Sequence, residues 1–159
     1  MTTTLTPILI RAAEAEVLED GPTSLITLLT DAGVTGGALT ANRATLRQGS
    51  RGAPPHLHTE ATELFLVLDG SLQVLAGDEV FTLEKNDFIV IPPNQPHAFA
   101  PTAGKEAEML VVLTPGKARF DYYRLLESVY KGETDPSEIA ASSETYDNHY
   151  VTSDAWLSR

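Results

Sequence analysis

An all-β fold, a sandwich or barrel finished by short helices, is what this sequence predicts, and three observations carry the prediction. From about Pro7 to Pro115, short apolar or alternating runs follow one another, broken by Gly, Asp, Asn and Pro. Within that span no helical pattern is long enough to connect parallel strands, which argues against βαβ units. Only after "TPGK" does the apolar spacing change to a helical one.

In chain order the strand runs are "SLITLLT", "GALTANRATLR", "ELFLVLDG", "SLQVLAG", "EVFTLE", "DFIVIPP", "HAFAP" and "EMLVVLT". Glycines in "LDGS" and "AGDE" supply the positive φ that hairpin turns require. "LFLVL" and "FIVI" are apolar on both strand faces, so a second sheet, helices or a partner subunit is expected to cover the outer one. In "ARFDYYRLLESVYKGE", Phe120, Tyr123, Leu126 and Tyr130 recur at near-helical spacing with Leu125 and Val129 between them. That predicts an amphipathic helix from Arg119 to Lys131, with Gly132 as its stop. A second short helix is expected at "DPSEIAAS", with Asp135 capping and Pro136 in the first turn. The stretch "SSETYDNHYVTSDAWLSR" has no dependable periodicity. One domain in three parts follows: N-terminal strands over 1–36, a β core over 37–115, and helices with an irregular segment over 116–159. A chain of 159 residues buries one good core and is short for two.

Composition excludes several classes of function. The formal charge is −11 and no Lys/Arg cluster interrupts it, so neither nucleic acid nor an anionic membrane surface is an expected partner. There is no cysteine, which removes disulfides, thiolate metal sites and cysteine nucleophiles together. The first twenty residues have no basic region followed by a long apolar run, and no stretch approaches a membrane span, so a cytoplasmic location is expected.

The chemistry-bearing stretch is "PPHLHTEATELFLVLDG". In extended chain, His56 and His58 project from one sheet face, while Glu63, Phe65 and Val67 share a face of the next strand. A glutamate heading an apolar strand face is expensive to bury alone, and a divalent cation flanked by neutral imidazoles relieves that cost. "NDFIVIPPNQPHAFAP" adds His97 just after a two-proline loop. Glu60 is a weaker candidate than Glu63 because it falls in a turn. His149 in "YDNHY" reads as a solvated surface histidine. Arg43 and Arg47 share a strand face and are candidates for an anionic group, although paired surface charges are commoner. No nucleophile elbow or phosphate loop is present.

Two motifs give these residues a family. "HLHTEATELFLVLDG" resembles the first cupin motif (His-X-His, four residues, Glu, six residues, Gly) at His56, His58, Glu63 and Gly70, with Ser50 where the motif's leading glycine stands. "NDFIVIPPNQPHAFAP" resembles the second motif at Pro92 and His97. The two glycines expected there are Asn86 and Asn94, and the closing Asn is Pro101. Asn tolerates left-handed backbone next best after Gly, so both turns are expected to survive. The flanking segments resemble more narrowly the single-domain, quercetinase-like cupins.

The resemblance implies a double-stranded β-helix (jelly-roll) barrel with short C-terminal helices. It implies one divalent transition metal ion (Mn, Fe, Co, Ni, Cu or Zn) held by His56, His58, Glu63 and His97. The activity expected is a metal-dependent dioxygenase on a flavonol-like or other enolic aromatic small molecule, with O2 as co-substrate and Glu63 as both ligand and catalytic proton acceptor. Phe65, Val67 and Phe99 are expected to wall the substrate pocket, or else to be plain barrel core. Two alternatives stand beside it: a polyketide cyclase or isomerase using the metal as a Lewis acid, and a ligand-binding cupin without turnover. The doubly apolar strands, the aromatic helix and the family habit suggest a homodimer.

Overall fold

The computed structural model describes residues 5–159; Met1–Thr4, the start of the expected N-terminal part, lie outside the described residues. Ten strands form one curled antiparallel sheet: β1 (Val17–Glu19), β2 (Ser24–Thr30), β3 (Thr40–Leu46), β4 (Ala53–Leu57), β5 (Thr62–Ala76), β6 (Glu79–Glu84), β7 (Phe88–Ile91), β8 (His97–Pro101), β9 (Ala107–Thr114) and β10 (His149–Tyr150). The pairing path is β1-β2-β3-β9-β5-β8-β4-β10, with β6 and β7 also paired to β5. Among the described residues there are also five short helices: α1 (Ala32–Thr35), α2 (Phe120–Tyr130), α3 (Ser137–Ala141), α4 (Ser143–Tyr146) and α5 (Asp154–Leu157). Among the described residues no helix is long and apolar enough to cross a membrane. This is the all-β barrel architecture with C-terminal helices that the sequence predicts.

The organising element is β5, fifteen residues long. Its first half pairs with β7 and β9, and its second half with β6 and β8. The sequence reading placed a hairpin at "LDGS"; the chain instead runs straight through it. Gly70 does have a positive φ, 77°. That φ serves a bulge, since the register against β9 slips between Val67 and Asp69. A Cβ on Gly70 would stand 2.0 Å from the Glu106 carbonyl oxygen, so no side chain fits where the strand passes from one half of the sheet to the other. The expected turn at "AGDE" does form, joining β5 to β6. Asn86 and Asn94 sit at φ 74° and 66°, so each adopts the backbone expected of the glycine it stands for.

Alternation along β5 and β9 aims Phe65, Val67, Met109, Val111 and Leu113 into the barrel, where each is at most 3% exposed. Burying each such side chain contributes about 1.5–3 kcal/mol. The opposite face is different. Leu64, Leu66, Leu110 and Val112 are only half-buried, and Phe88 and Val90 of β7 are 57% and 49% exposed. Neither a second sheet nor a helix of the described residues covers this expected two-sided apolar patch.

Helix α2 begins where predicted, and its start has a cap from elsewhere in the chain. Asp31, at the end of β2, accepts hydrogen bonds from Ala32 N, Arg119 N and Phe120 N. Tyr122 and Tyr123 of α2 pack on Leu18, Ile26 and Leu28 to make a second small core. Asp135 accepts from Ser137 N at the head of α3, as its sequence position suggests. The segment without periodicity is not loose: Trp156 of α5 is 5% exposed against Leu75, Ala98 and Ala100.

Candidate metal centre

Three strands and one loop bring the expected ligands together. His56 is near the end of β4 and lies opposite His97, the first residue of β8. His58 follows β4 in the loop, and Glu63 heads the inner face of β5. The ligand atoms of all four lie within 4.8 Å of one another, and all four residues are buried. Glu63 Oε2 is 2.5 Å from His97 Nε2 and 3.1 Å from His58 Nε2.

The outward-facing ring nitrogens decide what these groups can do. His56 Nδ1 is 2.7 Å from Pro54 O, His58 Nδ1 is 2.6 Å from Asp147 O, and His97 Nδ1 is 3.0 Å from Gln95 O. A carbonyl oxygen only accepts, so each Nδ1 carries the proton and donates it. In the neutral rings each Nε2 is then a bare lone pair turned inward, as a metal ligand requires. Two of those lone pairs face a carboxylate oxygen, and His97 Nε2 makes no hydrogen bond at all. Acceptors crowded this closely in a dry interior are satisfied by a metal ion between them or, without one, by a proton that His97 or His58 donates to Glu63. Three imidazole nitrogens and one carboxylate oxygen fit a divalent transition ion, with the ion's identity open.

Without an ion, the same crowding favours a proton between His97 and Glu63. Burial raises the Glu63 carboxyl, but His97 and His58 outweigh it and hold the group well below the usual carboxylate range. Burial, reinforced by His97 and His58, pushes the His56 imidazole down and keeps it neutral. For His97 burial acts downward and the Glu63 charge overcomes it, leaving the ring raised.

The centre borders a cavity of about 170 Å³. His56 and Glu63 contribute to its wall, together with Phe99, Leu46, Val111 and Ile26. Phe99 thus lines the cavity beside the candidate ligands. Phe65 and Val67, both at 0% exposure, sit behind it in the core and do not line the cavity. Phe65 supports the site indirectly, its ring 5.3 Å from Phe99 and 6.2 Å from His97.

The remaining wall comes from α2 and the segment around β10, which sequence reasoning assigned no role. Arg119, 3% exposed, lines the cavity with Tyr122, Tyr123, Asn148 and Tyr150. Its guanidinium lies over the Tyr122 ring at 4.5 Å and near Tyr123 at 5.4 Å. Asp147 is 4% exposed; its carboxylate accepts from Thr59 N, Thr59 Oγ1 and Glu60 N, while its carbonyl accepts from His58. This segment is thus a clasp that closes the barrel and aims one ligand. One signal was available: Arg119, Tyr122, Tyr123 and Leu126 fall at i, i+3, i+4 and i+7, a cation inside an apolar stripe. "YDNHY" offered none. His149 is partly exposed and bonds Asp147, Glu60 pairs with Lys117 at the surface, and Arg43 pairs with Glu108.

A small antiparallel barrel with a buried three-histidine, one-carboxylate centre defines a class, and the comparisons agree with it. Residues 42–113 match the family model described as "Cupin domain". That stretch of the chain is a cupin domain, and the fold around it is of the cupin kind. No curated protein matches it. Among solved structures it resembles an RmlC-like cupin from Shewanella frigidimarina (16% identity, 74% of this chain and 96% of that one, TM-score 0.59). It also resembles the polyketide cyclase RemF from Streptomyces resistomycificus (18%, 69% and 80%, TM-score 0.57). A third is the hydroxypropylphosphonic acid epoxidase from S. wedmorenis (18%, 67% and 58%, TM-score 0.56). At these identities the likeness is one of fold.

Proposed function

We propose that this cupin is a metal-dependent dioxygenase acting on a small enolic aromatic compound. The observation that supports this most is the convergence of three Nε2 lone pairs and Glu63 Oε2 at the wall of a mostly apolar cavity. A bound transition ion supplies Lewis acidity and, where it is redox-active, an electronic route to O2. Glu63 holds the enol proton, since its carboxylate lines the inner end of the cavity beside His56. Phe99, Leu46, Val111 and Ile26 hold the apolar body of the substrate and exclude water. Size favours one ring over the three of a flavonol: about 170 Å³ is close to the roughly 150 Å³ that holds a benzene.

A second reading, metal-assisted cyclisation or isomerisation, is favoured by the protic groups in the same wall. Tyr122 and Tyr150 share a hydrogen bond of 2.5 Å between their hydroxyls. One of their two protons lies in that bond, and the other is free for a ligand. Burial, with Tyr150 adding to it, pushes the Tyr122 phenol far up, so it serves as a donor rather than a base. A polyketide cyclase shares the fold, which makes this the nearest alternative chemistry to test.

The same reading makes the protein a cytoplasmic homodimer, with the half-exposed face of β5, β7 and β9 packed against a second copy; the exposed Phe88 and Val90 support that placement. Metal analysis of purified protein followed by an oxygen electrode tests the main proposal. One-ring enols and enediols are expected to drive O2 uptake in at least one of the Mn, Fe, Co, Ni and Cu forms. Substrate loss without O2 uptake would replace the dioxygenase with the cyclase reading, and metal-dependent binding without turnover would leave a ligand-binding cupin.

A further inference from the structure

Arg119 has no carboxylate partner among the described residues, yet it is buried beside the metal centre. Of the five N–H donors of a guanidinium, two are accounted for: Nη1 donates to Tyr146 O at 3.1 Å and Nη2 to Asn148 Oδ1 at 3.2 Å. The Nε–H has no partner, and neither has the Asn148 amide nitrogen. All groups that hold Arg119 are neutral: one carbonyl, one amide oxygen, two tyrosine rings and the Tyr123 hydroxyl. Burial opposes its charge, and the tyrosines and Glu63 more than restore it. Glu63, however, is already committed to the histidines.

A purely structural pin between α2 and the clasp needs only Nη1 and Nη2. It leaves the unpartnered Nε–H and the unpartnered Asn148 amide unexplained, although buried donors are rarely left unmet. Both residues line the cavity that His56 and Glu63 also line. With a dication bound, two cationic groups would border this cavity against one carboxylate in its depths. Asp20 also lines it, but is partly exposed and belongs as well to an adjoining surface groove with Gly21, Arg51 and Tyr130. Asp20 is therefore at the outer end, where it repels an anion that stops short of Arg119.

We propose that Arg119 and Asn148 form a carboxylate-binding subsite in this cavity, so that the substrate is a one-ring compound with an ionised carboxyl group. Arg119 Nε–H and the Asn148 amide N–H donate to the carboxylate oxygens, while the ring packs toward Phe99 and the metal centre. The proposal rests on reading the cavity as a substrate site; it does not rest on turnover.

The test uses the full chain loaded with Zn(II) and labelled with ¹⁵N, titrated with benzoate and with benzamide, which has the same shape and no charge. Benzoate is expected to shift the Arg119 Nε–H and Asn148 side-chain resonances and to bind at least tenfold more tightly than benzamide. Arg119→Gln is expected to lose that tenfold advantage with zinc content and benzamide affinity unchanged, and Arg119→Lys to recover part of it. Benzoate binding that leaves both resonances unmoved would place the carboxylate on the zinc and overturn the subsite. Equal affinities, or no benzoate binding, would overturn it too. The titration of the wild-type chain decides the matter even if Arg119→Gln fails to fold. Benzoate seated on Arg119 without O2 uptake by any metal form would sink the dioxygenase and keep the subsite. Carboxylated one-ring enols turned over with the same KM by wild type and Arg119→Gln would do the reverse.

Discussion

The two walls of the site are built differently. The barrel wall carries His56, His58, Glu63 and His97 on adjacent strands and the turn after β4, each placed by local chain geometry. The clasp wall carries Arg119, Asp147, Asn148 and Tyr150, and reaches the barrel through contacts such as Thr59 to Asp147, 88 residues apart in sequence. The barrel wall carries the candidate metal ligands, and the clasp wall carries the polar groups that orient His58 and face the cavity.

The largest effect is expected from the barrel wall. His97→Ala removes a ligand, and metal affinity should fall by more than the roughly 10–100-fold that losing a hydrogen-bond partner of a ligand costs. Competition titration with a chelator reads this, and unchanged affinity would remove His97 from the centre. Next comes the clasp. Asp147→Ala strips the acceptor from Thr59 N, Thr59 Oγ1 and Glu60 N, so stability should drop by about 3 kcal/mol in denaturant titration, since hydrogen bonds to a charged group contribute about 1.5–3 kcal/mol each and do not add fully. Metal affinity should fall by up to about tenfold, because the carbonyl that orients His58 survives but loses the side-chain contacts that hold it in place. Stability lost with metal affinity intact would show that the clasp does not aim His58.

Gly70→Ala tests the barrel apart from the site. A methyl group 2.0 Å from the Glu106 carbonyl, at φ 77°, should cost about 2 kcal/mol or more, read as a lowered Tm with metal stoichiometry unchanged. The smallest effect separates two substitutions at one turn. Asn94→Ala should destabilise by about 1 kcal/mol because Ala resists φ 66°, whereas Asn94→Gly should stay within about 0.5 kcal/mol. Equal effects would mean that the left-handed backbone is not what selects the residue.

The same division explains what could be read in advance. The strands, the ligand set and even the left-handed Asn86 and Asn94 were legible because each depends on spacing within about ten residues. "LDGS" was misread because a glycine at positive φ serves a hairpin and a bulge equally, and only the register of a distant strand chooses between them. Phe65 and Phe99 look alike by alternation, and which of them meets the cavity is fixed by where the barrel curls. Arg119 was passed over as the first residue of a helix, since its importance depends on which surface that helix lands on. Asp147 and Asn148 occupy a polar, aperiodic segment whose ordering comes wholly from distant partners.

His56 and His97 each lean on a carbonyl two positions earlier in their own strand or loop, so both rings are set as soon as that short stretch folds. His58 alone takes its bearing from Asp147. Translation delivers every ligand well before it delivers that carbonyl. Two of the three imidazoles are thus oriented within their own stretch of chain, and the third is oriented only once the segment around Asp147 has folded back.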